Sequence, residues 1–442
     1  MSTLASALNS ALKSMTASQL SLSVASNNIA NATTPGYSRQ RLVTTPSGPD
    51  GGVLGIGTGV DAVRVQAMRD ELIETRLKQE TSAKSGDDAR SRMLSDVETV
   101  FNDTDDAGLL LKITNFFNSF QTLSLDPAST NFREELKINA QALVEDLHAR
   151  NRDLTEIRGV ANQGITTDID KINGLTKQIA TVTQEIKYQE VSHPANDLRD
   201  RRAALVKDLS EIIQVHELES GGDYQLSTKD NQLLVLNTTA RPLTEADVTP
   251  AIGDGSLKAK LDVRDQYIPK YIGALDQLAY ELVVQVNSIH TSAYDLNGDT
   301  GVNFFGPLSS ASGASRLIDM STKVQGDARS IAASALPTGN DNQAAMRLGN
   351  LLHDPVFTGG SITDQYRTIV FRAGSDLSNV ETSLKEHDAM VLQLENRRQS
   401  VSGVSIDEET AQILQFQRSF EASARLIRTI DELLQVAIGM GA

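Results

Sequence analysis

The sequence predicts a mainly α protein: paired N- and C-terminal helices forming a coiled-coil domain, a long-helix bundle domain, and a small β insert. Three observations carry this. Apolar residues recur at heptad spacing at both ends of the chain. The 442 residues include no tryptophan and only 4% aromatic residues, against 39% hydrophobic residues in all. That composition suits thin aliphatic cores between long helices better than one thick globule. A single stretch, 213–263, changes from helical period to period two. The chain divides into the N-terminal half of the coiled-coil domain with a short hairpin (1–66) and the first part of the long-helix domain (67–212). The β insert (213–263), the second part of the long-helix domain (264–400) and the C-terminal half of the coiled-coil domain (401–442) follow.

At the N-terminus the seam runs through Leu4, Leu8, Ala11, Met15, Ser18, Leu22, Ala25 and Ile29, in alternating steps of four and three. The Thr33-Thr34-Pro35-Gly36 run ends the helix, because Pro35 disfavours helix in the residue before it and Gly36 permits a turn. Lys13 is the only charged side chain between Met1 and Ser38. An ordinary solvated helix face carries Lys and Glu, whereas Ser, Thr and Asn suit a face that meets protein on both sides. The helix is therefore expected to be marginal alone and ordered on assembly.

Residues 53–66 are Gly-rich and alternating, which predicts a short hairpin. Long helices are predicted over 68–102 and 129–186, with Leu136, Leu143, Leu147 and Leu154 on one side of the second. A charged amphipathic helix covers 196–212. There Arg199, Arg201 and Arg202 sit among Asp197, Asp200 and Asp208, which reads as a mixed solvated face. Residues 264–294 return to helix, 295–340 read as loop with short helical pieces, and 361–399 form another long helix. At the C-terminus Ile406, Ile413, Phe420, Ile427 and Leu434 are spaced by seven, with Phe416, Ser423, Ile430 and Ala437 at the companion position. Ser405 and Glu408 form a capping-box pattern, and Gly439 and Gly441 stop the helix. The two seams can pair parallel or antiparallel.

The chemistry of these residues excludes more than it suggests. With 41 Lys+Arg against 57 Asp+Glu the net charge is −16, which weighs against nucleic acid as a partner. The absence of cysteine excludes disulfides and thiolate chemistry. No run approaches a membrane span, so no membrane insertion is expected, and the first residues lack the pattern of a cleaved secretory signal. Asp295, Asn297 and Asp299 alternate like the start of a calcium loop, but Thr300 and Gly306 stand where glycine and glutamate are needed, so an Asx-rich turn is expected. Of the six histidines, His290 reads as a packing histidine, while His148 and His387 read as exposed. No catalytic residue, metal ligand or cofactor is expected.

The string Ser26 to Gln40, SNNIANATTPGYSRQ, resembles the N-terminal signature of bacterial flagellar axial proteins, with Asn28, Ile29, Ala30 and Asn31 as its core and Pro35 and Gly36 as its turn. The Tyr37-Ser38-Arg39-Gln40 extension is more particular: it is similar to the hook-associated family at the hook–filament junction. The stretches 59–69, 196–209, 286–305 and 402–440 agree in order. The resemblance implies a structural subunit, exported unfolded by the flagellar type III apparatus without a cleaved signal and located outside the cell. Its expected partners are copies of itself, hook protein, the next junction protein and an export chaperone at the C-terminal helix. Assembly would use the seam residues at both ends. Compared with larger members, only 38 residues (306–343) separate Phe305 from the helix at 344–352, which implies that bulky outer domains are missing. Two other readings stand beside this one. A rod or hook component is disfavoured by the Tyr37–Gln40 string. A secreted enzyme or adhesin with a flagellar tail as export tag is disfavoured by the small size of the β insert.

Overall fold

The computed structural model describes residues 2–48, 57–102, 108–191, 193–248, 252–337 and 341–439. It is 68% helical. In chain order the elements are α1 (Ser2–Ala30), β1 (Gln40–Pro46), β2 (Val60–Ala67), α2 (Glu71–Phe101), α3 (Leu109–Leu125), α4 (Thr130–Gln189) and α5 (Asn196–Ile212). Four short strands follow: β3 (Val215–Ser220), β4 (Asp223–Thr228), β5 (Leu233–Leu236) and β6 (Thr239–Ala240). The rest is helical: α6 (Ser256–Asp262), α7 (Ile268–His290), α8 (Ala314–Leu317), α9 (Thr322–Gly326), α10 (Gln343–Asn350), α11 (Ile362–Ser402) and α12 (Ile406–Gly439). Two compact units share these elements, one of residues 1–84, 170–255 and 386–442, the other of 85–169 and 256–385.

The second unit holds the main core. Leu136, Leu143, Leu147 and Leu154 of α4 are all buried there, as their spacing predicts. The core is not thin and aliphatic, however. Nearly half of the chain's few aromatic rings gather in it: Phe116, Phe117, Phe120, Phe304 and Phe305 pack at centroid distances of 4.8–5.6 Å, and Phe101, Tyr271 and Tyr366 are buried in the same cluster. A rare residue type thus makes a thick core by concentration, since each buried ring removes a large apolar area from water. Three of these rings come from α3, a helix that the sequence reading left unassigned.

The Asx turn forms as expected: Asp295 Oδ1 accepts the amides of Asn297 (2.8 Å) and Asp299 (2.9 Å). His290 is the buried, satisfied histidine the sequence suggests. Its Nδ1 lies 2.7 Å from the Val302 carbonyl, and its Nε2 accepts the Ala332 amide at 2.8 Å. Nε2 can accept only when the ring is neutral, and burial lowers the pKa to about 4. His148 and His387 depart from the expected exposure. Both are half-buried, the first against the Ile318 carbonyl and the second against Glu80.

In the first unit, the hairpin is wider than expected. Residues 60–66 form only its second strand, and β1 supplies the first, in antiparallel register from Gln40↔Ala67 to Pro46↔Val60. Residues 53–56 lie outside the described residues. The only charge of the first 38 residues finds its counter-ion here: Lys13 Nζ is 2.8 Å from Asp61 of β2 and 2.6 Å from Ser47 Oγ. The β insert is an antiparallel sheet in the order β3-β4-β5-β6. Its strands end at Ala240, and 256–262 is the helix α6, inside the range read as insert. The α5 face is likewise not simply solvated. Asp200 and Arg202 are buried, and the Arg202 guanidinium lies 4.0 Å over the Tyr224 ring.

Candidate functional site

Three contacts between α1 and α12 fix how the chain's ends pair. Ser423 Oγ donates to Ser14 Oγ at 3.0 Å, Ser18 Oγ to Ser419 Oγ at 3.2 Å, and Asn28 Nδ2 to Glu409 Oε2 at 3.0 Å. Each step up α1 matches an equal step down α12, so the pair is antiparallel. Ala11, Ser21 and Ala25, in step with these serines, are buried as well. The tight stripe of α1 is therefore made of small residues. Their size lets two helix backbones approach until hydroxyl meets hydroxyl.

The larger seam residues flank that stripe. Leu4, Leu8, Met15, Leu22 and Ile29 of α1 are half-buried, as are Ile413, Phe420, Ile427 and Leu434 of α12, while Ile406 is 54% exposed. On α12 the residues shut away are Ser423 and Ile430 of the companion row, together with Glu409. The Ala437 side chain and Gly441 fall outside what is described. The capping box at the start of α12 is half made. Ser405 Oγ accepts the Glu408 amide at 3.4 Å, but the Glu408 carboxylate turns to Arg39 instead of its own helix.

At the end of α1 the signature residues tie a polar knot. Asn28, 1% exposed, uses its whole amide. Nδ2 donates to the Gln40 carbonyl at 2.8 Å and to Glu409; Oδ1 accepts the Gln40 amide and the Tyr37 hydroxyl, each at 2.9 Å. Burial, reinforced by the charges of Asp197, Asp200 and Glu409, pushes the Tyr37 hydroxyl up to about 12, so it remains a donor. Gly36, at φ 79°, makes the left-handed turn that returns Tyr37 towards Asn28. Arg39 Nε reaches Glu409 at 2.7 Å, Nη1 reaches Glu408 at 2.9 Å, and its amide donates to the Ser402 carbonyl at 2.9 Å.

Beyond the knot, Ser38 gives its amide (3.1 Å) and hydroxyl (2.8 Å) to the buried Asp200 of α5, which also pairs with Arg69. Gln40 Nε2 donates to Asp197 at 2.9 Å, and Asn196 Nδ2 to the Val65 carbonyl at 3.1 Å. Five pieces of chain thus meet around residues 37–40: the last turn of α1, the hairpin with Arg69, the first turn of α5, the end of α11 and the first turn of α12. Of the signature, Asn28, Ser38 and Gln40 are buried, and Ile29, Asn31, Tyr37 and Arg39 half-buried; Ala30, Pro35 and Gly36 are exposed. The sequence reading missed Arg69, Asn196, Asp197, Asp200 and Glu409 as partners. The first four lie within stretches 59–69 and 196–209, but nothing in their spacing gives them a role.

Chemically this is a fastening. Charges taken out of water are paired and hydrogen-bonded, so removing one partner strands another at a cost of about 3–5 kcal/mol. Among the described residues, no three His, Asp or Glu side chains are gathered to hold a metal ion, and no helix is long and apolar enough to cross a membrane.

Comparison with known proteins converges on one organelle. A family model described as the flagellar hook-associated protein FlgK helical domain matches residues 94–305. The models for the flagella basal body rod protein and for the flagellar basal body rod FlgEFG protein C-terminal match 2–37 and 396–440. Flagellar hook-associated protein 1 of Bacillus subtilis (strain 168) is 28% identical over 505 residues, covering 98% of each chain. Its Escherichia coli (strain K12) counterpart is 24% identical over 552 residues, covering 99% of this chain and 100% of that one. In fold, the flagellar hook junction protein FlgK from Burkholderia pseudomallei matches with a TM-score of 0.65 at 16% identity, over 74% of this chain and all of that one.

Proposed function

We propose that the chain is a member of the flagellar hook-associated protein 1 family, to whose members it is similar over nearly its whole length, and that it is the adaptor subunit between hook and filament. Proteins of this family are structural components of the flagellum. The subunit acts by binding, without catalysis. Copies pass unfolded through the flagellar type III apparatus, without a cleaved signal, and assemble outside the cell through their terminal helices. They bridge hook protein on one side and the next junction protein on the other. Before export, a chaperone covers the C-terminal helix.

One observation carries this reading: the two chain ends pair antiparallel along small side chains, leaving apolar residues on the outward faces. Leu12 and Leu20 of α1 and Leu414, Leu426, Leu433 and Val436 of α12 are each at least 40% exposed. Burying such a surface against neighbours yields roughly 25 cal/mol per Å². The interface residues proposed are Leu4, Leu8, Met15, Leu22, Ile29, Ile406, Ile413, Phe420, Ile427 and Leu434; Ala11, expected among them, is 3% exposed and already covered within the chain. The alignment with the Escherichia coli relative runs over 552 positions against 442 residues here, which supports the absence of bulky outer domains.

Immunogold labelling of detached flagella tests the proposal. A single narrow band where hook meets filament is expected. Label along the hook or the rod, or none on the organelle, overturns it.

A further inference from the structure

A cleft of about 310 Å³ opens beside the polar knot, between the turn at 31–37 and the connection from α11 to α12. Half of the signature faces it. Thr33, Thr34, Pro35 and Gly36 line it and are exposed, although Asn28 and Tyr37–Gln40 are spent on the fold. Opposite them stand Arg398 and Ser402.

Two features make the cleft a built site with an unmet need. Ser402 is 3% exposed, yet its hydroxyl has no hydrogen-bond partner among the described residues. A buried hydroxyl without a partner is costly, and serine's χ1 has three staggered settings through which it can be turned to an arriving acceptor. Among the described residues Arg398 is used on one edge: Nε and Nη2 hold Glu395 at 3.2 and 3.0 Å, and Nη1 makes no hydrogen bond. The amides of Thr33 and Gly36, on the facing wall, take no hydrogen bond among the described residues. Every spare group named here can donate a hydrogen bond, and one belongs to a cation. The matching ligand is an anion with several acceptor lone pairs, and a carboxylate has that form.

We propose that this cleft receives a carboxylate side chain from a second copy of the chain. The occupant follows from charge: 57 acidic against 41 basic residues leave each copy with carboxylates in surplus, while the cleft offers unspent donors. The inference rests on the adaptor reading, in which copies stand side by side. It adds a place where one copy grips the next, apart from the helix seams. It also gives Thr33 and Thr34, which are exposed and take no part in the polar knot, a task.

A photo-crosslinking amino acid at Thr34, in the full chain expressed in motile cells, tests it. Irradiated flagella are expected to yield a product of twice the chain's mass, its junction peptide carrying Asp or Glu. The dilute purified chain should yield none. Arg398→Glu, and Arg398→Gln as the version that keeps the side chain's length, should each lower that yield about tenfold while the purified variants keep the wild-type helical content. A product containing only some other protein, or an unchanged yield in the folded variants, overturns the inference. So does the absence of product from labelled chains that are present in the flagellum, which leaves the adaptor reading standing. Absence of the chain from the flagellum overturns both.

Discussion

Asn28 concentrates the fold's dependence on single atoms. Its amide has two donors and two acceptor positions, and four different groups fill them. Asn28→Ala leaves the Gln40 amide and carbonyl, the Tyr37 hydroxyl and part of the Glu409 carboxylate without a partner in a buried place. The expected cost is about 3 kcal/mol, felt locally. Hydrogen exchange is the suitable probe: amides of α1 and the first turn of α12 should lose protection, while those of α3 and α7 keep theirs. His290 offers the second residue-scale test. Its pKa is lowered from 6.5 to about 4 by burial. Between those values the unfolded chain binds a proton that the folded chain does not, so acid favours unfolding. Its contribution to stability is complete above about pH 6.5. It is lost as pH falls, at up to roughly 1.4 kcal/mol per pH unit, until about pH 4. Denaturant melts of the wild type from pH 7 to 5 should show this slope, and His290→Asn should flatten it even if that variant is less stable throughout. An unchanged slope would remove His290 from the account.

Among the elements, the α1–α12 pair depends on smallness. Ser18→Leu would place an isobutyl group where two hydroxyls now lie 3.2 Å apart. Overpacking of this kind costs about 1–3 kcal/mol, and here the helices can separate to relieve it. The variant should be trimmed faster by protease at both ends, whereas Ser23→Leu, on an exposed position of the same helix, should not be. Resistance equal to wild type in Ser18→Leu would count against close packing. The same contrast explains what the sequence discloses. Long periodic elements are plain in it: α4, α5 and α11 fall within a few residues of their predicted ranges, because amphipathic repetition over many turns leaves one reading. The antiparallel sense of the terminal pair is not legible, since matching seams fit either direction and only the serine pairs and Asn28–Glu409 decide. The first strand of the hairpin is not legible, because β1 overlaps the end of the signature string and its sequence QRLVTTP lacks a clean alternation of apolar and polar residues. The helix α3 does carry a legible stripe, with Leu109, Ile113, Phe116, Phe117, Phe120 and Leu123 at helical spacing, but it falls between the two ranges that the sequence predicts as long helices. Residues Arg69 and Asp200 stand 131 apart, and no local pattern joins such a pair.

At the scale of the whole molecule, the division into two units makes assembly separable from folding. The second unit has its own core, built from α3, α7, α10 and parts of α2, α4 and α11, and it includes none of the seam residues. Leu22 and Ile427 are half-buried flank residues of the terminal pair. An aspartate at either place can reach water in the isolated chain, so the cost there is modest. Under the proposed function the same position meets a neighbour's apolar side chains, and a carboxylate without a counter-charge would be taken out of water, at a cost of several kcal/mol. Summed over many copies that is enough to stop addition at a growing tip. We therefore predict that Leu22→Asp and Ile427→Asp each leave the thermal unfolding of the second unit unchanged and abolish incorporation, so that cells carrying them grow hooks without filaments. The measurement pairs calorimetry on the purified chain with electron microscopy of the cells. Filaments of normal number and length on cells expressing either variant would mean that the seams at the two ends do not carry assembly. A lowered melting temperature of the second unit would mean that the two units are not energetically separate.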